Sequence, residues 1–354
     1  MKIMIAAGGT GGHVYPALAV AKVLMRRGHE VVWMGTPDSF EARVVPPHGI
    51  PFEPVRVSGV RGKGLLTLVK APLRVLRAVL DALAVLRRQN PALVLGMGGF
   101  AAGPGGLAAR LSGRPLVIHE QNAAAGMTNR LLARIATRVL EAFPGTFAHA
   151  MTVGNPVRAG FLELPPPAQR LAAHGAVPRV LVLGGSQGAR ALNQVLPAAL
   201  ALLPVEQRPQ VRHQAGRTLD IAQTAYADAG VNAEVLAFID DMPAAYDWAD
   251  LVVCRSGAST VAELAAAGCA ALLVPFPAAV DDHQTRNGEF LVKAGAAILI
   301  QEAALTPQRL ADTLRDLLSR RAQLAMMATA ARTAAWIAAD ERIADLCLEM
   351  GAAR

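Results

Sequence analysis

Aromatic residues, cysteines and long apolar runs are all scarce in this chain of 354 residues. Phe, Trp and Tyr make up 4% of the sequence, and the three cysteines, Cys254, Cys269 and Cys347, stand at spacings that fit neither a disulfide framework nor a zinc site. No run of about 18 apolar residues is present to form a transmembrane helix. The N-terminal apolar run breaks at glycine within a few residues, unlike a signal peptide. We therefore expect a protein of the reducing cytoplasm.

Two motifs of nucleotide chemistry are also missing. No glycine loop ends in GK[ST], so the sequence does not support a P-loop enzyme. No D-x-D occurs, and the adjacent pairs Asp240–Asp241 and Asp281–Asp282 lack the spacing of metal ligands. We therefore expect neither a catalytic divalent ion nor another cofactor.

Short apolar segments rich in Val, Leu and Ile alternate with helical stretches along the chain, which predicts an α/β fold with parallel sheets. The opening segment IMIAAGGTGGH is echoed by VLVLGGSQGAR at residues 180–190. Two such openings predict two doubly wound, Rossmann-like domains that face a cleft. We place the first domain at residues 1–157 and the second at 158–331. We expect a last helix, from Arg332 to Met350 within residues 332–354, to pack back on the first domain.

Three glycine loops follow predicted strands, at residues 8–12, 96–104 and 184–188. Free backbone N–H groups and the dipole of the following helix favour a phosphate at such a turn, so the three loops indicate anionic ligands. The third loop also fits the GxSxG elbow of a hydrolase, with Ser186 as nucleophile and Glu263 and His283 later in the chain. A repeated phosphate-type turn explains the third loop equally and also explains the first, which has Thr10 in place of the serine.

Polar clusters follow other predicted strands, at residues 119–122 (HEQN), 255–263 (RSGASTVAE) and 281–287 (DDHQTRN). Helix capping and solvated loops are local explanations for each cluster. Glu263 stands one turn into a predicted helix, where its carboxylate complements the helix dipole or accepts two hydrogen bonds from a ribose diol. The backbone N–H groups at the start of the same helix are suited to a diphosphate.

Most of the net charge of +8 comes from one segment, residues 56–88, which has eight basic residues and one acidic residue. From Val69 onward its apolar residues recur at helical spacing, and Lys70, Arg74 and Arg77 flank them. The segment predicts either a surface helix that packs on the core or a docking surface for an anionic membrane. We do not expect a nucleic-acid partner, because no aromatic interleaving or known binding module accompanies the charge.

Eight ordered motifs resemble those of the MurG family, the bacterial glycosyltransferases that convert lipid I to lipid II. The motifs are GGTGGHVYPALAVA, SGVRGKG, GGFAAGP, HEQNAAAGMTNR, GNPVR, GGSQGA, RSGASTVAEL and DDHQTRNGEFL. The resemblance implies a glycosyltransferase-B fold and transfer of N-acetylglucosamine (GlcNAc) from UDP-GlcNAc to the C4 hydroxyl of undecaprenyl-diphosphoryl-MurNAc-pentapeptide. It places the donor on the second domain and lipid I on the first, with the protein peripheral at the cytoplasmic face of the plasma membrane. A UDP-GlcNAc 2-epimerase of the same fold is the alternative, and the basic segment and SGVRGKG favour the transferase.

The resemblance also implies which residues bind substrate. They are Thr10, Gly11, Gly12, Asn122, Arg158, Ser186, Ile239, Ala258, Ser259, Thr260, Val261, Ala262, Glu263 and Gln284. Within this set, Asn122 and Gln284 match positions that contact the sugar, the backbone of Ile239 matches the position that reads uracil, and Glu263 matches the ribose ligand. The sequence departs from the family at Phe100, where a tyrosine is common, and at Thr285, where a second glutamine is common, so no role is transferred to these two.

The family's reaction inverts the sugar, since the donor is an α anomer and the product linkage is β. A single in-line displacement of this kind needs a base for the acceptor hydroxyl and stabilisation of the departing diphosphate. Histidine titrates near neutrality, and His13 closes the first glycine loop. His13 is therefore our first candidate for the catalytic base, and Glu120 is the second.

Overall fold

The computed structural model describes residues 1–57 and 71–352. The motif SGVRGKG at 58–64 and the residues Val69 and Lys70 lie outside the described residues. The chain divides into two compact units, Met1–Val157 together with Ala338–Arg354, and Arg158–Ile337. Both units are built around a parallel sheet, which confirms the predicted fold class.

The first unit has seven parallel strands in the order β3-β2-β1-β4-β5-β6-β7. Its strands are β1 (Lys2–Ala6), β2 (Glu30–Gly35), β3 (Phe52–Pro54), β4 (Leu93–Gly96), β5 (Leu116–Glu120), β6 (Arg138–Glu141) and β7 (Met151–Thr152), and its helices are α1 (Gly11–Arg26), α2 (Phe40–Val44), α3 (Ala71–Gln89), α4 (Ala102–Leu111), α5 (Met127–Leu132) and α14 (Ala339–Ala352). Ile3 and Leu95 pack toward α1 and α14, whereas Met4 and Val94 pack toward α3, α4 and α5. Because successive strand residues face opposite sides, both faces of the sheet are covered, as continuous apolar strands require.

The second unit has six parallel strands in the order β10-β9-β8-β11-β12-β13. Its strands are β8 (Arg179–Leu183), β9 (Gln210–Gln214), β10 (Glu234–Leu236), β11 (Leu251–Cys254), β12 (Ala270–Leu273) and β13 (Ala297–Leu299), and its helices are α6 (Pro167–Ala172), α7 (Arg190–Ala201), α8 (Leu219–Asp228), α9 (Met242–Trp248), α10 (Ala258–Ala267), α11 (His283–Lys293), α12 (Pro307–Ser319) and α13 (Arg321–Thr333). The first strand of each unit is central and has its glycine loop at the carboxyl end. In both units the strand order therefore reverses beside that loop, where doubly wound folds bind ligands.

The prediction of one continuous helix from Arg332 is wrong. Helix α13 ends at Thr333 and α14 begins at Ala339. Between them, Ala338 has φ of 58°, a left-handed conformation that does not continue an α-helix. The sequence has no glycine or proline at this break, and its apolar residues keep helical spacing across it. The pattern therefore predicts one helix where the structure has two.

Helix α3 has two apolar faces, only one of which packs on the sheet. Ala78, Ala82, Val85 and Leu86 lie in the core of the first unit. The stripe predicted from the sequence contains Leu73, Leu76, Leu80 and Leu83. Leu73, Leu76 and Leu80 face outward and are 72%, 54% and 55% exposed, whereas the partly buried Leu83 packs against the core. Most of the predicted stripe therefore lies off the face that contacts the core. Among the helices in residues 1–57 and 71–352, none has both the length and the apolar composition of a transmembrane span.

Candidate active site

The first glycine loop, residues 8–12, is positioned by hydrogen bonds to a buried carboxylate. Glu41 accepts hydrogen bonds from Gly9 N at 3.0 Å and from Thr36 N at 3.1 Å. A Cβ on Gly8 would collide with the Glu41 carboxylate, and Gly9 has φ of 96°, so both positions suit glycine. Because Glu41 already takes the Gly9 N–H, an anion at this loop must be bound by the later N–H groups at the start of α1.

The second glycine loop provides close contacts with the first. Gly8 N donates to Gly98 O at 3.3 Å, and a Cβ on Gly99 would overlap the Gly8 carbonyl. A Cβ on Gly98 would lie 2.7 Å from His13 Nδ1. The glycines of this loop therefore let its backbone lie close to residues 8–12 and to the His13 ring. This close packing explains the glycines without a bound phosphate.

His13 lies at the first turn of α1, and its ring contacts residues that follow β5. His13 Nδ1 is 2.9 Å from Gln121 Oε1. Gln121 Nε2 is 3.0 Å from Met97 O and 3.2 Å from His119 Nδ1, and His119 Nε2 is 2.9 Å from Gly154 O. Gln121 and His119 are buried, whereas His13 is partly exposed. His13, the first candidate for the catalytic base, is therefore solvent-accessible and is hydrogen-bonded to a series of buried polar groups.

Glu120, the second base candidate, has both carboxylate oxygens in local hydrogen bonds. Oε1 accepts from Asn122 N at 3.1 Å and Asn122 Nδ2 at 3.3 Å, and Oε2 accepts from Gly126 N at 3.1 Å and Asn129 Nδ2 at 2.9 Å. The side chain is buried. Glu120 therefore shapes the loop that carries Asn122, and this geometry favours His13 over Glu120 as the base.

In the second unit, the start of α10 carries two buried hydroxyls. Among the described residues, neither Ser256 Oγ nor Ser259 Oγ has a hydrogen-bond partner. The N-cap residue, Gly257, supplies no side-chain cap. Thr260 and Val261 complete the first turn, and Ala262 follows them. Buried hydroxyls usually have partners, so this helix start has unused hydrogen-bonding capacity in addition to its N–H groups.

Glu263 follows in the same helix and pairs with Arg158. Arg158 Nη2 donates to Glu263 Oε1 at 3.1 Å, and the Tyr246 hydroxyl is 3.5 Å from Glu263 Oε2. The Arg158 side chain is 54% exposed and that of Glu263 is 15% exposed. Burial raises the pKa of Glu263, and Arg158 opposes this shift. The structure therefore places two of the predicted substrate-binding residues, Arg158 and Glu263, in direct contact.

Gln284, in the first turn of α11, holds the loop after β12. Its Oε1 accepts from Phe276 N at 2.9 Å. Just before α11, Asp281 and Asp282 both have positive φ, of 55° and 49°. Strained non-glycine residues of this kind concentrate at ligand sites. The buried Asn287 then donates to Ser256 O at 3.2 Å, which connects this helix to the start of α10.

The segment that follows β9 is hydrogen-bonded both to Ser186 and to Ala237, two residues before Ile239. Arg217 N donates to Ser186 O at 3.3 Å, and Gly216 N donates to Ala237 O at 3.2 Å. Ser186 is exposed in its loop, Ile239 is buried, and the neighbouring Phe238 ring is exposed.

Three residues near these sites were not singled out from the sequence. Gln121 and Tyr246 touch the candidates His13 and Glu263, and Arg255 donates to the carbonyls of Val274 and Pro275 at 3.1 Å while it pairs with Glu302. Gln121 and Arg255 belong to motifs that the sequence displays, which was the available signal. Tyr246 had none, because it lies inside an ordinary helix.

Two buried histidines make stability depend on pH. Burial lowers the pKa of His119 and of His213 to about 4. Between the unfolded value near 6.5 and about 4, the unfolded chain binds more protons, so stability falls as pH falls. We expect each histidine to cost about 2 kcal/mol of stability between pH 7.5 and pH 5. Denaturant unfolding at the two pH values should show this loss, and His213→Gln should reduce it by about half. An unchanged difference in the variant would contradict the assignment.

Both halves of the chain match known families. Residues 3–141 match the glycosyltransferase family 28 N-terminal domain, and residues 179–343 match the glycosyltransferase family 28 C-terminal domain. Two curated relatives are named UDP-N-acetylglucosamine–N-acetylmuramyl-(pentapeptide) pyrophosphoryl-undecaprenol N-acetylglucosamine transferase. The relative from Xanthomonas axonopodis is 58% identical over 98% of this chain and 82% of its own length. The relative from Marinobacter nauticus is 55% identical over 98% of this chain and 97% of its own.

Solved structures agree with these relatives. The crystal structure of Acinetobacter baumannii MurG has a TM-score of 0.88 and 43% identity, over 98% of this chain and 99% of that one. The calicheamicin glycosyltransferase CalG4 has a TM-score of 0.73 at 20% identity, over 99% of this chain and 97% of that one. The second likeness concerns the fold alone.

Proposed function

This chain belongs to the MurG family of UDP-N-acetylglucosamine–N-acetylmuramyl-(pentapeptide) pyrophosphoryl-undecaprenol N-acetylglucosamine transferases, and we propose that its two units divide the two substrates between them. The enzyme transfers GlcNAc from UDP-GlcNAc to lipid I and so makes lipid II for peptidoglycan synthesis. The epimerase alternative is not supported, because the transferase relatives match over nearly the whole chain. In our proposal the second unit holds the donor and the first holds lipid I.

The start of α10 supports the donor assignment most strongly. Ser256 Oγ and Ser259 Oγ lack partners among the described residues, and the N–H groups and dipole of the helix favour a diphosphate beside them. Glu263 then accepts the ribose hydroxyls, and Arg158 turns toward the negative charge of the departing UDP. Gln284 then contacts the sugar, and the backbone of Ile239 contacts the uracil.

We assign the base to His13. The acceptor hydroxyl attacks the anomeric carbon of GlcNAc, its proton passes to His13, and UDP leaves with the electrons of the broken C–O bond. Thr10, Gly11 and Gly12 position the reacting groups at the start of α1, and Asn122 contacts the sugar. The choice of His13 over Glu120 as the catalytic base is supported by the partial exposure of His13 and by the local hydrogen bonds of Glu120.

A direct assay tests the reaction itself. We expect the protein to release UDP from UDP-GlcNAc only when a lipid I analogue is present, with one disaccharide product per UDP. An epimerase would convert the donor to its 2-epimer with no acceptor. That result, or release of UDP independent of the acceptor, would overturn the assignment.

We further propose that the outer face of α3 docks the enzyme on the cytoplasmic face of the plasma membrane. Its exposed leucines are flanked by the exposed Arg74 and Arg77. Helices α4 and α5 pack on the same face of the sheet as α3 and add exposed apolar residues. These are Leu107, Leu111, Met127 and Leu131. An apolar face with basic neighbours is typical of a peripheral membrane surface, and the polyprenyl chain of the acceptor must remain in the bilayer.

Charge reversal on α3 should release the protein from anionic vesicles. Each basic residue contributes about 1 kcal/mol near such a surface, so we expect Arg74→Glu with Arg77→Glu to lower partitioning by at least about tenfold. Co-sedimentation with vesicles of anionic and neutral lipid measures this. The control pair, Arg309→Glu with Arg342→Glu, makes the same charge change at exposed positions on α12 and α14. Equal partitioning of both pairs would remove α3 from the docking surface.

A further inference from the structure

The orientation of the Gln121 side-chain amide is fixed by its surroundings. Nε2 lies 3.0 Å from Met97 O and 3.4 Å from His119 O, so one end of the amide faces two carbonyl oxygens. Carbonyls accept and do not donate, which requires the NH₂ group at that end. The amide oxygen must then face His13.

This orientation decides which nitrogen of His13 carries the proton. Gln121 Oε1 is an acceptor only, so the 2.9 Å contact is a hydrogen bond donated by His13 Nδ1–H. In a neutral imidazole the other nitrogen then has a lone pair. Nε2 of His13 is therefore the atom that can receive a proton.

His119 fixes the direction of the hydrogen bonds between Gln121 and the Gly154 carbonyl. Its Nε2 is 2.9 Å from Gly154 O, so Nε2–H donates there and Nδ1 accepts from Gln121 Nε2 at 3.2 Å. Burial lowers the pKa of His119 to about 4, which keeps the ring neutral near pH 7. Each hydrogen bond from Gly154 O to His13 then has one allowed direction.

We propose that Gln121, supported by His119, is a positioning residue that holds His13 in the Nδ1–H tautomer and so presents Nε2 as the catalytic base. The proposal rests on the assignment of His13 as base. A flipped Gln121 amide would turn its NH₂ group toward His13 Nδ1, and the neutral ring would then carry its proton on Nε2. The same ring, in the same place, would be unable to act as the base.

Gln121→Met tests the proposal, because methionine has a similar length but neither accepts nor donates strongly. We expect kcat to fall about 10- to 100-fold with the KM for UDP-GlcNAc unchanged, since a wrong tautomer leaves substrate contacts intact. Long-range ¹H–¹⁵N spectra of ¹⁵N-histidine-labelled enzyme report the tautomer directly. We expect Nδ1–H for His13 in the wild type and loss of that preference in Gln121→Met. Gln308→Met, at an exposed position of α12, is the matched control.

Gln121→Glu keeps an oxygen opposite His13 Nδ1, but its second oxygen faces Met97 O and His119 O and must carry a proton to donate there in place of the NH₂ group. In that form the variant should retain the Nδ1–H tautomer and a higher kcat than Gln121→Met. This rescue also separates the proposal from a general loss of folding. A wild-type His13 with its proton on Nε2, or a Gln121→Met enzyme with unchanged tautomer and kcat, would overturn the proposal. A normal kcat in His13→Ala would instead overturn the base assignment, while the tautomer spectra would still report on Gln121.

Discussion

His13→Ala is expected to lower kcat by about 10²–10⁴-fold, the usual cost of losing a general base. The KM for UDP-GlcNAc should change little, because the base acts on the acceptor hydroxyl in the transition state. Loss of a diphosphate contact would instead raise KM. Steady-state kinetics with a lipid I analogue, at varied donor concentration, distinguish the two outcomes.

The pH profile is the control for this experiment. If His13 is the base, the wild-type enzyme loses kcat on the acidic side as the imidazole becomes protonated, and the variant lacks that limb. A variant that keeps both the limb and near-normal kcat would make His13 a structural residue of the glycine turn. Glu120 would be the next residue to test, although its four local hydrogen bonds predict a mainly structural effect there.

Glu263→Ala is expected to weaken UDP binding by at least about 10-fold, since a single hydrogen bond to a charged group contributes about 1.5–3 kcal/mol. Folding should be little affected. Burial disfavours the Glu263 carboxylate, and its partner Arg158 is more than half exposed and can be solvated when the carboxylate is removed. Calorimetric titration with UDP measures the affinity.

The matched control is Glu206→Ala, which removes a carboxylate from an exposed position of the same unit. It should leave both UDP affinity and stability unchanged. If Glu263→Ala binds UDP as tightly as Glu206→Ala does, Glu263 does not contact the ribose. A large loss of stability in Glu263→Ala alone would give its pair with Arg158 a structural role instead.

The fold class followed from the sequence because burial acts on each residue through its local pattern. Apolar runs such as Lys2–Ala6 and Leu251–Cys254 predict strands covered on both faces, and the repeated glycine turn predicts a second domain. The family followed for a related reason, since eight motifs in a fixed order are specific even when each one alone is weak.

The tertiary structure decided what depends on residues far apart in the chain. His13 and Gln121 are 108 positions apart, and only their packing shows which imidazole nitrogen is protonated. The same holds for Arg158 and Glu263, which the sequence predicts as separate ligands and the structure joins as an ion pair. On α3, periodicity predicts a stripe of leucines but not the face that meets the sheet, because that face depends on how the helix is rotated against strands elsewhere in the chain. Hydrophobic patterning is a local property, whereas hydrogen-bond direction and helix rotation are set by neighbours that only the folded chain brings together.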